Sequence, residues 1–119
     1  MSKAICIAAA ATVVALTPVF AIADMTGQWE FHVDFDDRSN PGAIAGCTLK
    51  QNGGRVSGRC EDATLEGVVQ GETATWTLTL DRSHDTLTFT GMLDDDDTVV
   101  VGRFSYPGKG GGSFLAVKR

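Results

Sequence analysis

Cys47-Thr48-Leu49-Lys50-Gln51-Asn52-Gly53-Gly54-Arg55-Val56-Ser57-Gly58-Arg59-Cys60 is the segment whose reading decides the fold. Gly53 and Gly54 suit a two-residue hairpin turn, because glycine tolerates the positive φ that such turns require. With that turn, Cys47 faces Cys60, Leu49 faces Gly58 and Gln51 faces Val56. Counting outward from the hydrogen-bonded pair Asn52 with Arg55, the cysteines fall on a non-hydrogen-bonded pair. There Cα atoms stand ~4.5 Å apart and side chains are closest. That is within the reach of a disulfide. The bond closes a 14-residue segment, and the chain-entropy model gives such a loop roughly 3 kcal/mol.

The same exercise extends in both directions. With Gly71-Glu72 as a turn, Val69 faces Ala74, Gly67 faces Trp76 and Leu65 faces Leu78. With Asp95-Asp96 as a turn, Gly91 faces Val100, Phe89 faces Gly102 and Leu87 faces Phe104. From Gly27 onward the dominant period is two, with turn residues about every ten positions, the mark of an antiparallel meander. Eight strands are predicted, over 27–35, 44–51, 55–61, 64–70, 73–80, 86–93, 98–106 and 112–118. In each hairpin a bulky inward residue meets a glycine, a pattern suited to the inside of a strongly curved sheet. The expected fold is therefore all-β, an eight-stranded antiparallel up-and-down barrel. Its interior is expected to hold Trp29, Phe31, Val33, Leu49, Leu65, Trp76, Leu78, Phe89, Phe104 and Phe114. Threonines at 75, 77, 79, 86, 88 and 90 fall on the wet face.

Upstream of the barrel, Met1-Ser2-Lys3 leads into an apolar run from Ala4 to Leu16 and then Ala21-Ile22-Ala23 before Asp24. This is the order of a secretory signal peptide, and the run is short of the roughly 20 residues that cross a bilayer. Residues 1–23 are read as a cleaved signal and 24–119 as a single domain, periplasmic or secreted, with no stable membrane insertion. Cys6 leaves with the signal, so Cys47 and Cys60 remain as an even pair in an oxidising compartment. The signal carries one of the ten basic residues and none of the 15 acidic ones, which leaves the domain at −6. Without a basic cluster, nucleic acid and anionic lipid are not expected partners.

The opening Met25-Thr26-Gly27-Gln28-Trp29, at the first of eight strands, and the closing Phe114-Leu115-Ala116-Val117-Lys118-Arg119 resemble the calycin group: lipocalins, fatty-acid-binding proteins and avidins. The resemblance implies that Trp29 closes one barrel end and that Lys118 or Arg119 crosses its ring as a cation-π contact. It also implies that such barrels pack on one another, so a homo-oligomer is possible. In size the chain is most similar to exported, avidin-like members. Glu30 and Phe31 follow the tryptophan where avidins place ligand-binding residues, so biotin is not the expected ligand. Thr26-Gly27-Gln28-Trp29 and the two cysteines also resemble small periplasmic barrels that inhibit secreted metalloproteases. In those proteins the segment before the barrel inserts into the protease cleft; the equivalent here is Asp24-Met25-Thr26.

Few residues offer chemistry. Asp94 to Asp97 form a run of four carboxylates in a turn, and adjacent aspartates in a tight turn cannot all aim at one cation. Asp34, Asp36 and Asp37 end the first strand; if both runs share a rim, they form a weak cation site. Ser83-His84-Asp85 is a sequence neighbourhood, whereas a triad needs groups that converge in space. His32 alternates with inward residues and points out. No zinc spacing is present, and no enzyme activity, metal or cofactor is expected.

Two binding readings remain open. Trp29, Phe31, Trp76, Phe89 and Phe104 line the interior, which is either a filled core or the pocket of a small apolar-ligand carrier. Met92, Val99, Val101, Leu115 and Val117 point outward over the last three strands and form an apolar patch of the kind that meets a protein partner or a second subunit. The leading expectation is a non-enzymatic binding module acting through its outer strands or a loop rim. A carrier, or an inhibitor of a secreted protease, is the alternative.

Overall fold

The structure, a computed structural model, describes residues 23–119; the expected signal segment lies, but for its last residue, outside them. Eight strands follow in order: β1 (Gly27–Phe35), β2 (Ala43–Asn52), β3 (Arg55–Cys60), β4 (Ala63–Gln70), β5 (Thr73–Leu80), β6 (Thr86–Leu93), β7 (Val99–Tyr106) and β8 (Gly110–Lys118). Each pairs antiparallel with the next, and β8 pairs with β1 to close the barrel. Closure leaves no unpaired edge along the sheet. Among the described residues no helix is long and apolar enough to cross a membrane.

Alternation in the sequence sets the two faces. Strand β6 shows it most plainly, with Leu87, Phe89, Gly91 and Leu93 buried and Thr86, Thr88, Thr90 and Met92 exposed. The registers of β2 with β3 and of β4 with β5 are those read from Gly53-Gly54 and Gly71-Glu72. Gly53 and Gly71 both take the left-handed conformation (φ 67° and 62°) that a side chain resists. Cys47 and Cys60 are joined across the first of these hairpins, with Cα atoms 4.0 Å apart.

The third hairpin corrects the sequence reading. Gly91 faces Gly102 and Phe89 faces Phe104, a shift of two residues from the expected register. The cause is Asp94, whose carboxylate accepts the backbone N–H groups of Thr98 and Val99 at 2.8 and 3.0 Å. A turn held by its own side chain is longer than the two-residue turn assumed at Asp95-Asp96. Because the pleat repeats every two residues, the shift leaves every side chain on its expected face. It does change the neighbours: here bulk meets bulk, and the rings of Phe89 and Phe104 stack with centroids 5.4 Å apart.

Candidate functional site

The barrel has one sealed end, a packed middle and one partly open end. At the sealed end Met25, upstream of β1, turns its side chain inside and is wholly buried. Its carbonyl accepts the Trp29 indole N–H at 2.9 Å, and its own N–H donates to the Gln51 side chain at 2.8 Å. Gln51 in turn donates to the Ala23 carbonyl. Lys118, not Arg119, lies over the Trp29 ring, with Nζ 5.9 Å from the centroid, and it donates to the Asp24 carbonyl. Arg119 instead pairs with Glu30 on the outside. The segment ahead of β1 thus caps the barrel, and Met25 is not presented on a free arm. Met25 was missed in the sequence reading, although it shares parity with Gly27, Trp29 and Phe31.

In the middle, Phe31, Trp76, Phe89, Phe104 and Phe114 form one aromatic cluster. Trp76 stacks on Phe89 at 5.9 Å and meets Phe31 and Phe114 at 5.4 and 5.5 Å. All five are buried. The glycines opposite them make room: a Cβ on Gly67 would run into the backbone carbonyl of Thr75 and the Cβ of Trp76. Trp76 Nε1 is buried and has no hydrogen-bond partner among the described residues.

The far end is asymmetric. On the side of β1, β7 and β8 it is filled by Phe35, Phe104 and Tyr106, with the first two rings edge-on at 5.2 Å. On the side of β2 to β4 the inward positions are Ala43, Ala45 and Ala63, too small to reach the axis. The space left is an apolar cup of about 160 Å³. Phe31 and Phe89 contribute to its inner surface, Leu78, Leu80 and Leu87 to its side, and the disulfide to its wall.

Outside, an exposed apolar row crosses the sheet. Met92 pairs with Val101, Val101 with Leu115, Leu115 with His32, and His32 with Ile44. Ile44 is 63% exposed, Met92 and Val101 51%, and Leu115 38%. Val99 and Val117 pair beside this row and are half-buried. Polar groups border it: Glu30 binds both His32 and Arg119 at 3.1 Å, and Arg103 pairs with Asp36. Ile44 was not anticipated in the patch, because the sequence reading stopped at the last three strands; closure of β8 onto β1 and β2 brings it in.

The acidic runs do not converge. Asp36 and Asp37 follow β1 at the cup end, whereas Asp94 to Asp97 join β6 to β7 at the sealed end. The shared-rim cation site is therefore ruled out by topology, and among the described residues no group of three metal-ligating side chains comes together. Each acid with a displaced pKa has a structural partner. The Thr98 N–H beside Asp94, the Arg103 guanidinium beside Asp36 and the Arg59 guanidinium beside Asp81 all hold these carboxyls below the ordinary 3.8. The Tyr106 hydroxyl donates to Asp85, which raises the phenol above its ordinary 10.0. Ser83 Oγ accepts the N–H of Asp85, an ordinary local turn bond. Comparison with protein-family models gives no match for this chain, and comparison with curated proteins gives none either.

Proposed function

We propose that this chain is an exported, non-enzymatic binding module of calycin-like form that engages a protein partner through its outer strands. The observation that carries the reading is the contrast between inside and outside. The axis is occupied by packed aromatic rings, so no cavity of the roughly 300–1,000 Å³ typical of ligand pockets runs through it. The outer surface meanwhile carries Met92, Val101 and Leu115 in one continuous exposed row, with Ile44 on the far side of His32. Contiguous apolar surface rimmed by polar groups is what association buries. The Glu30, His32 and Arg119 cluster on one side and the Arg103–Asp36 pair on the other supply the polar rim. The partner is a protein of unknown identity, a second copy included. The test combines light scattering with pull-down, using the wild type and the double variant Val101→Glu with Leu115→Glu. A partner or second copy that is held by the wild type and lost by the variant is the expected result. A wild-type protein that is monomeric and retains nothing ends this reading.

A further inference from the structure

We infer that the outer row docks a basic protein surface, with apolar side chains at its centre and Lys or Arg at its edge, and not a second copy of this chain. The inference rests on the proposal that the row is a docking face, and adds the chemistry of what docks there.

The charges around the row carry it. Met92, Val101 and Leu115 pair in turn across β6, β7 and β8, and Val99 with Val117 lies beside them. The strands that carry Met92 and Val99 are joined by the turn of Asp94 to Asp97, so this turn stands at one end of the apolar surface. The β4–β5 turn is drawn against it: the Leu93 N–H donates to the Glu72 carbonyl at 2.7 Å, and Thr73 pairs with Met92. Glu72 and Asp94 to Asp97 thus gather five carboxylates there, and among the described residues none is paired with a cation.

The cations of the barrel are engaged or distant. Arg119 and Arg103 pair with Glu30 and Asp36, and Lys118 lies over the Trp29 ring. Lys50, Arg55 and Arg59 belong to β2 and β3, on the wall opposite β6 and β7. Arg38, Arg82 and Lys109 lie in turns at the cup end, and the Arg103–Ser113 and Ser105–Gly111 pairs separate Lys109 from Leu115. A second copy would bring the same row with the same acidic end and no unpaired cation to meet it. The formal net charge of −5 also sets two copies against each other. A partner with Lys or Arg around an apolar centre matches both features: apolar surface is buried in the middle, and opposite charge steers the approach.

The experiment titrates the purified protein with three short helical peptides: leucine on one face and lysine on the other, leucine with glutamate, and serine with lysine. The leucine–lysine peptide is expected to shift Met92, Val101 and Leu115 methyl resonances saturably and to bind roughly tenfold more tightly than the other two, with a several-fold loss at high salt. Asp95→Asn with Asp96→Asn is expected to weaken it several-fold, mostly through the association rate. Asp62→Asn with Glu66→Gln removes the same charge at β4, across the barrel from β8, and is expected to change the affinity by less than about twofold. Equal losses from the two pairs of substitutions overturn the inference, as does a wild type that binds none of the three peptides. Val101→Ser with Leu115→Ser separates the inference from the docking face beneath it. If that variant abolishes binding of a preferred leucine–glutamate peptide, or abolishes self-association of the wild type, the face stands and the basic partner is overturned. Saturable shifts centred away from the row overturn both.

Discussion

The indole N–H of Trp29 donates to the carbonyl oxygen of Met25 at 2.9 Å, while the side chain of the same methionine is wholly buried inside the barrel. One residue thus supplies both an acceptor for the tryptophan and the apolar cap above it. With Gln51 and Lys118 also bonded to this segment, the barrel end is closed by chain that precedes the first strand.

Removal of the Met25 side chain leaves a cavity that surrounding strands, fixed by closure, cannot collapse into. Met25→Ala is expected to cost about 2–5 kcal/mol, and Met25→Leu, which keeps the volume, less than about 1.5 kcal/mol. Urea unfolding followed by tryptophan fluorescence measures both. Equal stability of the alanine variant and the wild type would place Met25 outside the core.

The two tryptophans differ in one respect that mutation can read. Trp29 Nε1 has an acceptor, whereas Trp76 Nε1 is buried with none among the described residues. Phenylalanine at either position loses similar volume. At 29 it also strands the Met25 carbonyl, while at 76 it removes a donor that was already unpaired. An unsatisfied buried polar group costs about 1–3 kcal/mol. Trp29→Phe is therefore expected to destabilise by more than Trp76→Phe, by a margin of that order in matched unfolding curves.

Much of the barrel was legible because it rests on period-two alternation and on turns that glycine dictates locally. The pairings around Gly53-Gly54 and Gly71-Glu72 follow from two residues each, and the disulfide follows from the first. The β6–β7 register was not legible, since several turns fit Asp94 to Thr98 and only the Asp94 side chain, folding back onto Thr98 and Val99, selects the longer one. The cup was invisible for a different reason. It depends on Ala43 and Ala45 of β2 sharing one wall space with Leu78, Leu80 and Leu87 of β5 and β6, strands that never pair with β2, which is a property of the closed ring and not of any one hairpin.

Asp94 gives the fold a pH dependence with a definite sign. The N–H groups of Thr98 and Val99 favour its charged form and lower its pKa from 3.8 in the folded state. Its stabilisation is therefore complete above the unfolded value and is lost as pH falls through the lower folded value. The wild-type melting temperature should fall below about pH 4, and Asp94→Asn should show a shallower fall together with a lower melting temperature at neutral pH. Asp36, held down by Arg103, adds a part that salt screens. Parallel melting curves for wild type and variant between acid and neutral pH would remove Asp94 from this account.

Glycines on the two faces of the sheet should respond in opposite ways to the same substitution. Gly67 faces inward opposite Trp76, and a methyl group there collides with the Thr75 carbonyl and with Trp76 Cβ, neither of which is a flexible side-chain end. Gly67→Ala is expected to cost about 1–3 kcal/mol by overpacking. Gly46, on the outer face of β2, has nothing within 4 Å of where its Cβ would stand. Gly46→Ala restricts the unfolded chain without a clash and is expected to be neutral or to stabilise by up to about 1 kcal/mol. Denaturation midpoints of the two variants test the curvature of the barrel directly: tight contact of β4 on β5 predicts a large gap between them, and equal midpoints would mean that the wall opposite Trp76 has room to spare.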